Sequence, residues 1–154
     1  MRCVRNSPPP PPREMRRSKL LRTQPVDMPY QFKKHYTRRE AQALLPQVRS
    51  WLERLDRLRD RLHQYDKRLN ALVESGHDTG GEMVETWIRL IVDVRVLLQE
   101  FQSREIVIKD FERGLVDFPA LIGDKEVFLC WRKDEDAIEF WHDLDSGYAG
   151  REPL

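Results

Sequence analysis

Most residues able to do chemistry gather near the end of this chain. Cys130, Glu139, His142, Asp143 and Asp145 each offer a metal donor atom within one short stretch. A thiol, an imidazole and carboxylates together form a mixed set of the kind that zinc-class ions accept. No paired CxxC and no HExxH occurs among them, so the spacing itself carries no metal signature. Asp143-Leu-Asp-Ser-Gly147 echoes a calcium loop but lacks its alternating acids and closing glutamate. Cys130 sits mid-strand with an acidic neighbour expected at Glu139, which raises a thiol's pKa and argues against a nucleophile. Gly147, Gly150 and Arg151 could form an anion-binding end. The simpler expectation is that Arg113 and Arg151 pair with Asp117, Asp143 or Asp145 and lock the final segment.

Two short aromatic strands must position these groups. Glu126-Val-Phe-Leu-Cys-Trp-Arg132 and Ala137-Ile-Glu-Phe-Trp-His142 flank a charged turn, taken as centred on Asp134-Glu135. That turn opposes Val127 to His142, Leu129 to Phe140 and Trp131 to Ile138 on an apolar face. Phe128 and Trp141, with Cys130 and Glu139, then share the other face. Alternation therefore separates His142 from Cys130 and leaves two half-sites. One joins Cys130 and Glu139 to a group from elsewhere, such as Asp117 or Arg113. The other joins His142 to Asp145. Upstream, Glu105-Ile-Val-Ile-Lys109 reads as a strand, and Leu115-Val-Asp-Phe118 as another that Pro119 closes.

Residues 37–104 read as a helical hairpin. Thr37-Arg-Arg-Glu40 is a capping box that starts the first helix. Pro46 predicts a break, with a short segment to Leu45 and a long one from about Pro46. Val48, Trp51, Leu55, Leu58, Leu62, Tyr65, Leu69 and Leu72 then alternate three and four residues apart, the seam of a coiled coil. Ser75 to Gly81 is a glycine-rich break. Val84, Trp87, Ile91, Val94, Leu98 and Phe101 repeat the seam, while Ile88, Leu90, Val96 and Leu97 widen the apolar face. Such a face implies a second contact, either the sheet or another copy of the chain.

Residues 1–27 hold seven Lys or Arg against two Asp or Glu, a net +5, so the rest is −4 within a total of +1. A slightly acidic body argues against nucleic acid as partner. Ser7 followed by Pro8 to Pro12 fixes a short polyproline rod in a basic leader, read as disordered over 1–29. The patterned sequence begins directly after Met28, which is the alternative starting point. No apolar run approaches the roughly 18 residues of a membrane span, and no signal-peptide core is present. With only Cys3 and Cys130 a disulfide framework is excluded, and a reducing, cytoplasmic setting is expected.

Three stretches carry a family resemblance: Arg113-Gly-Leu-Val-Asp-Phe-Pro-Ala120, Glu126 to Arg132, and Trp141-His142 followed by Gly147-Tyr-Ala-Gly-Arg-Glu-Pro-Leu154. With Tyr36-Thr-Arg-Arg-Glu-Ala41 and Leu44-Leu-Pro46, they resemble the bacterial domain of unknown function 2203 over about residues 30–154. The resemblance implies a small cytoplasmic protein of helical hairpin plus sheet, and brings no activity with it.

The sequence thus predicts an α+β domain over 30–154: a long antiparallel, coiled-coil-like helical hairpin packed on a small C-terminal antiparallel β-sheet. The expected function is a non-enzymatic binding or assembly module, associating with itself or a protein partner through the apolar helix face. The alternative is a divalent-metal-binding protein or metal-dependent enzyme built around His142.

Overall fold

The computed structural model describes residues 30–154 apart from Thr79, and the proline-rich leader lies outside them. The capping box forms as its sequence dictates. Thr37 Oγ1 accepts from the Glu40 N–H at 3.2 Å, and the Glu40 carboxylate accepts from the Thr37 N–H at 2.8 Å. From there α1 (Arg38–Glu74) runs unbroken for 37 residues, about 55 Å at 1.5 Å per residue. Pro46 does not divide it, contrary to expectation. The proline is exposed, so the one carbonyl it leaves without a helical partner lies on the wet side. Leu45 and Val48, either side of it, are buried and hold the helix in line.

A glycine-rich turn leads to α2 (Glu82–Ser103). The facing residues differ in part from the expected seam. On α1 the buried set is Ala41, Leu45, Val48, Leu52, Leu55 and Leu58; on α2 it is Leu90, Leu97 and Phe101. Apart from Ala41, each of these side chains contributes about 1.5–3 kcal/mol by leaving water. Ile91 stays 38% exposed, on a face shared with Ile88, Val92 and Val96. The hairpin's far half, around Leu62, Tyr65, Leu69 and Trp87, is only half-buried, because two helices alone cannot enclose a seam.

Five antiparallel strands follow in sequential order: β1 (Val107–Asp110), β2 (Leu115–Ile122), β3 (Lys125–Arg132), β4 (Phe140–Asp143) and β5 (Glu152–Pro153). The β2–β3 turn is Gly123-Asp124, with Gly123 at φ 62°, the left-handed conformation a two-residue hairpin requires. Pro119 does not end β2. Its carbonyl points away from β3 and accepts from the Tyr36 N–H at 2.7 Å, beyond the stretch that β1 covers. The missing proline N–H lies on that same side, so the β2–β3 ladder loses nothing.

The register of the second hairpin corrects the sequence reading by one residue. Val127 faces Asp143, Phe128 faces His142, Leu129 faces Trp141 and Cys130 faces Phe140. A tight turn at Asp134-Glu135 is replaced by a loop over 133–139, in which Ile138 plunges into the core. Helix α1 shapes that loop. Arg49 donates to the carbonyls of Lys133 and Glu135, and Gln42 accepts from the Ile138 N–H at 2.8 Å. A slip of one residue moves a whole strand to the other face, and the chemistry moves with it.

Val116, Phe118, Ala120, Val127, Leu129 and Trp131 form the inner face and share one core with both helices. Asp117, Phe128, Cys130, Phe140 and His142 lie on the outer face. Two straps cover it. Residues 30–36 wrap the β2 edge, where Gln31 N and Phe32 N donate to the Glu126 carboxylate at 2.8 and 3.0 Å. The Phe32 ring meets Phe128 edge-on at 5.3 Å. The second strap is the segment after β4, which returns as β5.

Candidate metal centre on the outer face of the sheet

Asp117 owes its position to β2 alternation, since it stands between the inward Val116 and Phe118. The Gly123-Asp124 turn sets it opposite Cys130, and the β3–β4 register sets His142 beside that pair. One donor atom from each of Asp117, Cys130 and His142 lies within 4.8 Å of the others. All three residues are 1% exposed.

The hydrogen bonds fix what each group can offer. His142 Nδ1 lies 2.7 Å from the Asp143 carbonyl, which only accepts, so Nδ1 carries its proton and donates. Nε2 is then the free end of the ring, 3.1 Å from Asp117 Oδ2. A ring nitrogen and a carboxylate oxygen at this distance need a proton or a cation between them. Asp117 Oδ1 is buried and has no partner among the described residues. Asp143 Oδ1 is just as occluded, but the Lys125 ammonium stands 2.6 Å away. Asp117 therefore holds the carboxylate oxygen that remains to be satisfied, in a setting where an unmet acceptor costs about 1–3 kcal/mol.

The electrostatics follow from burial. Desolvation raises the Asp117 carboxyl above its usual range, and His142, the Cys130 thiol and Lys109 oppose that rise only in part. The Cys130 thiol is pushed up to about 12, first by burial and then by the Asp117 charge, against the pull of Arg151. Two cations border the group. Lys109 Nζ lies 4.0 Å from Asp117 Oδ2 and 4.6 Å above the Phe128 ring, on a side chain 40% exposed that is free to swing out. Arg151 Nε donates to Cys130 Sγ at 3.1 Å.

The other residues singled out from the sequence lie apart. Glu139 is exposed and precedes β4; only its carbonyl is engaged, accepting from the Leu154 N–H at 2.9 Å. Asp145 is exposed. Asp143 enters through its main-chain oxygen, and its carboxylate is taken by Lys125. Arg113 pairs with Asp110 at 3.6 Å and not with Asp117, Asp143 or Asp145. Arg151 pairs instead with Glu135, through two bonds of 2.6 and 3.0 Å. The sequence reading divides His142 from Cys130 and offers Asp117 to Cys130 only as one of two groups from elsewhere, beside Glu139. The missed signal was the Gly123-Asp124 turn, which already aligns Asp117 with Cys130.

No helix among the described residues is long and apolar enough to cross a membrane. No curated protein and no solved structure matches the chain. The family described as Uncharacterized conserved protein (DUF2203) matches residues 34–154, a span that takes in both helices, all five strands and the Asp117–Cys130–His142 group, and the chain belongs to that family.

Proposed function

We propose that this protein binds a divalent transition-metal ion of the zinc class through Asp117, Cys130 and His142. The observation that carries this reading is the convergence of a thiol, an imidazole and a carboxylate with one oxygen unmet, all shut off from solvent. Two details support it. The His142 ring is oriented from behind by a backbone carbonyl, the usual outer partner of a metal-bound histidine. Asp117, Cys130 and His142 supply three protein ligands, one donor atom each, and their burial keeps bulk solvent from the remaining position. On this reading the ion stabilises the outer face of the sheet. A reducing, cytoplasmic setting fits it, because Cys130 must stay a thiol until the ion arrives.

The test is elemental analysis of untagged protein, followed by zinc titration of the metal-free chain. The expected result is one ion per chain and a melting temperature that rises with free zinc. Cys130→Ala and His142→Phe should each abolish both. Sub-stoichiometric metal with no thermal shift would defeat the proposal and leave a shared proton between His142 and Asp117.

A second reading, self-association, is favoured by a separate observation. Ile88, Ile91, Val92 and Val96 stand 38–53% exposed on one side of α2. Light scattering across a concentration series tests it: a dimer that Val92→Glu returns to monomer supports the reading, and a constant monomeric mass removes it.

A further inference from the structure

We infer that the strap after β4 is the lid of this metal site, and that Arg151 is its latch. The inference rests on the metal-binding reading and adds how the ion enters. The donor atoms are shut off from solvent in the closed structure, where all three residues are 1% exposed and Arg151 of the strap lies on Cys130 Sγ. Something must therefore open. The strap is held by side chains rather than by an extensive ladder: β5 is two residues long, pairing Pro153 with Phe140 and Glu152 with Trp141.

Arg151 concentrates the closure in one side chain. Its guanidinium grips Glu135 with two charge-assisted bonds and covers Cys130 Sγ. It also lies against the Phe140 and Tyr148 rings, at 5.0 and 4.5 Å from their centroids. Releasing one side chain uncovers the thiol and breaks the strap's charged grip on Glu135, leaving it on the Arg132–Tyr148 bond, the Leu154 N–H to Glu139 carbonyl bond and the two-residue β5 ladder. Gly147, at φ 59°, and the short helical turn Tyr148–Gly150 make the strap a compact unit that can lift as one piece. Once the ion is bound, the closed latch places Arg151 against the metal-bound sulfur, where its N–H bond steadies the thiolate.

A lid changes how fast an ion passes in both directions and leaves the bound state nearly untouched. Glu135 touches none of the three donors, so Glu135→Gln loosens the latch without altering the ligand set. The experiment mixes the full chain rapidly with cobalt(II) and follows thiolate-to-cobalt charge-transfer absorption, then chases the complex with excess chelator. Uptake and release should both quicken by about tenfold or more, the factor that goes with losing one charge-assisted hydrogen bond from the closed state. The equilibrium affinity should stay within about threefold. Tyr148→Ala, at an exposed position, should quicken both rates less, and it serves if Glu135→Gln fails to fold. A normal wild-type band with unchanged rates in both variants overturns the lid while leaving the metal site intact. No band in the wild type defeats the metal reading and the lid with it.

Discussion

If Cys130 is a ligand, metal affinity must climb with pH, and the slope follows from the structure. The thiol is held up to about 12 by burial beside Asp117, so at pH 7 it lies about five units below its midpoint. At about 1.36 kcal/mol per unit, forming the thiolate there costs about 7 kcal/mol before any bond to metal is counted. Structural zinc sites release about 10–16 kcal/mol at pH 7, with the deprotonation of ordinary thiols already included. Only the excess from 9.0 to about 12, about 4 kcal/mol, is to be taken from that figure, and affinity remains. Below its midpoint the thiol carries a proton that the ion must expel. The ion displaces the proton that the metal-free His142–Asp117 pair shares and one more from Sγ. The association constant should therefore rise about tenfold or more per pH unit across the neutral range, and the thiol's share is the part that depends on Cys130. Calorimetric zinc titrations in buffers of different ionisation enthalpy count those protons directly. Cys130→Ser should lose both the affinity and the thiol's share of the slope. Tight binding by the wild type with no proton release and no pH dependence would refute the reasoning, because the ion would then be bound without the sulfur.

Three further outcomes follow. Burial tends to raise the Glu126 carboxyl, but His35 and the Phe32 and Gln31 N–H groups outweigh it and hold the carboxyl below 4.5. The stability these contacts lend is thus complete above pH 4.5 and lost as pH falls through the lower folded value. The stability gap between wild type and Glu126→Gln, from urea melts, should be widest above pH 4.5 and close in acid. Gly114 sits at φ 62°, and a Cβ there would meet the Lys133 side chain at 2.6 Å. Gly114→Ala should cost about 1–2 kcal/mol from the left-handed backbone alone, and adding Lys133→Gly, which removes the Cβ that would stand 2.8 Å away as well as the rest of the side chain, should relieve only the steric part. Leu52→Ala, in the core between helix and sheet, should cost about 2–5 kcal/mol in chemical denaturation. A loss under 1 kcal/mol would mean that the helix does not bury this residue.

The elements that set their own boundaries were legible from sequence. The Thr37 capping box, the glycine-rich break after Glu74 and the alternation through β2 and β3 all act within a few residues, so local chemistry decides them. Pro46 misled because its penalty depends on which side of the helix it occupies, and only the packing of Leu45 and Val48 settles that. The site was half legible. Cys130 and His142 stood out by type, yet the loop between β3 and β4 carries no turn dipeptide, and its length is fixed by Arg49 and Gln42 from nearly a hundred residues away. No local pattern encodes that. Assuming the shortest turn put His142 on the wrong face.

That dependence has a consequence in time. The β2–β3 hairpin can form by itself from a two-residue turn, and it aligns Asp117 with Cys130 as soon as it closes. β4 has no comparable local guide. Its approach is templated by contacts 84 to 96 residues apart in sequence, from Arg49 and Gln42 to the loop that precedes it. Such long-range closures come late in folding. His142 should therefore be the last of the three donors to arrive, and it should do so only after α1 has docked. A nascent chain would then pass through a stage with the hairpin built and the thiol and carboxylate paired but uncovered. In that interval Cys130 is most open to oxidation, and to whichever ion reaches it first.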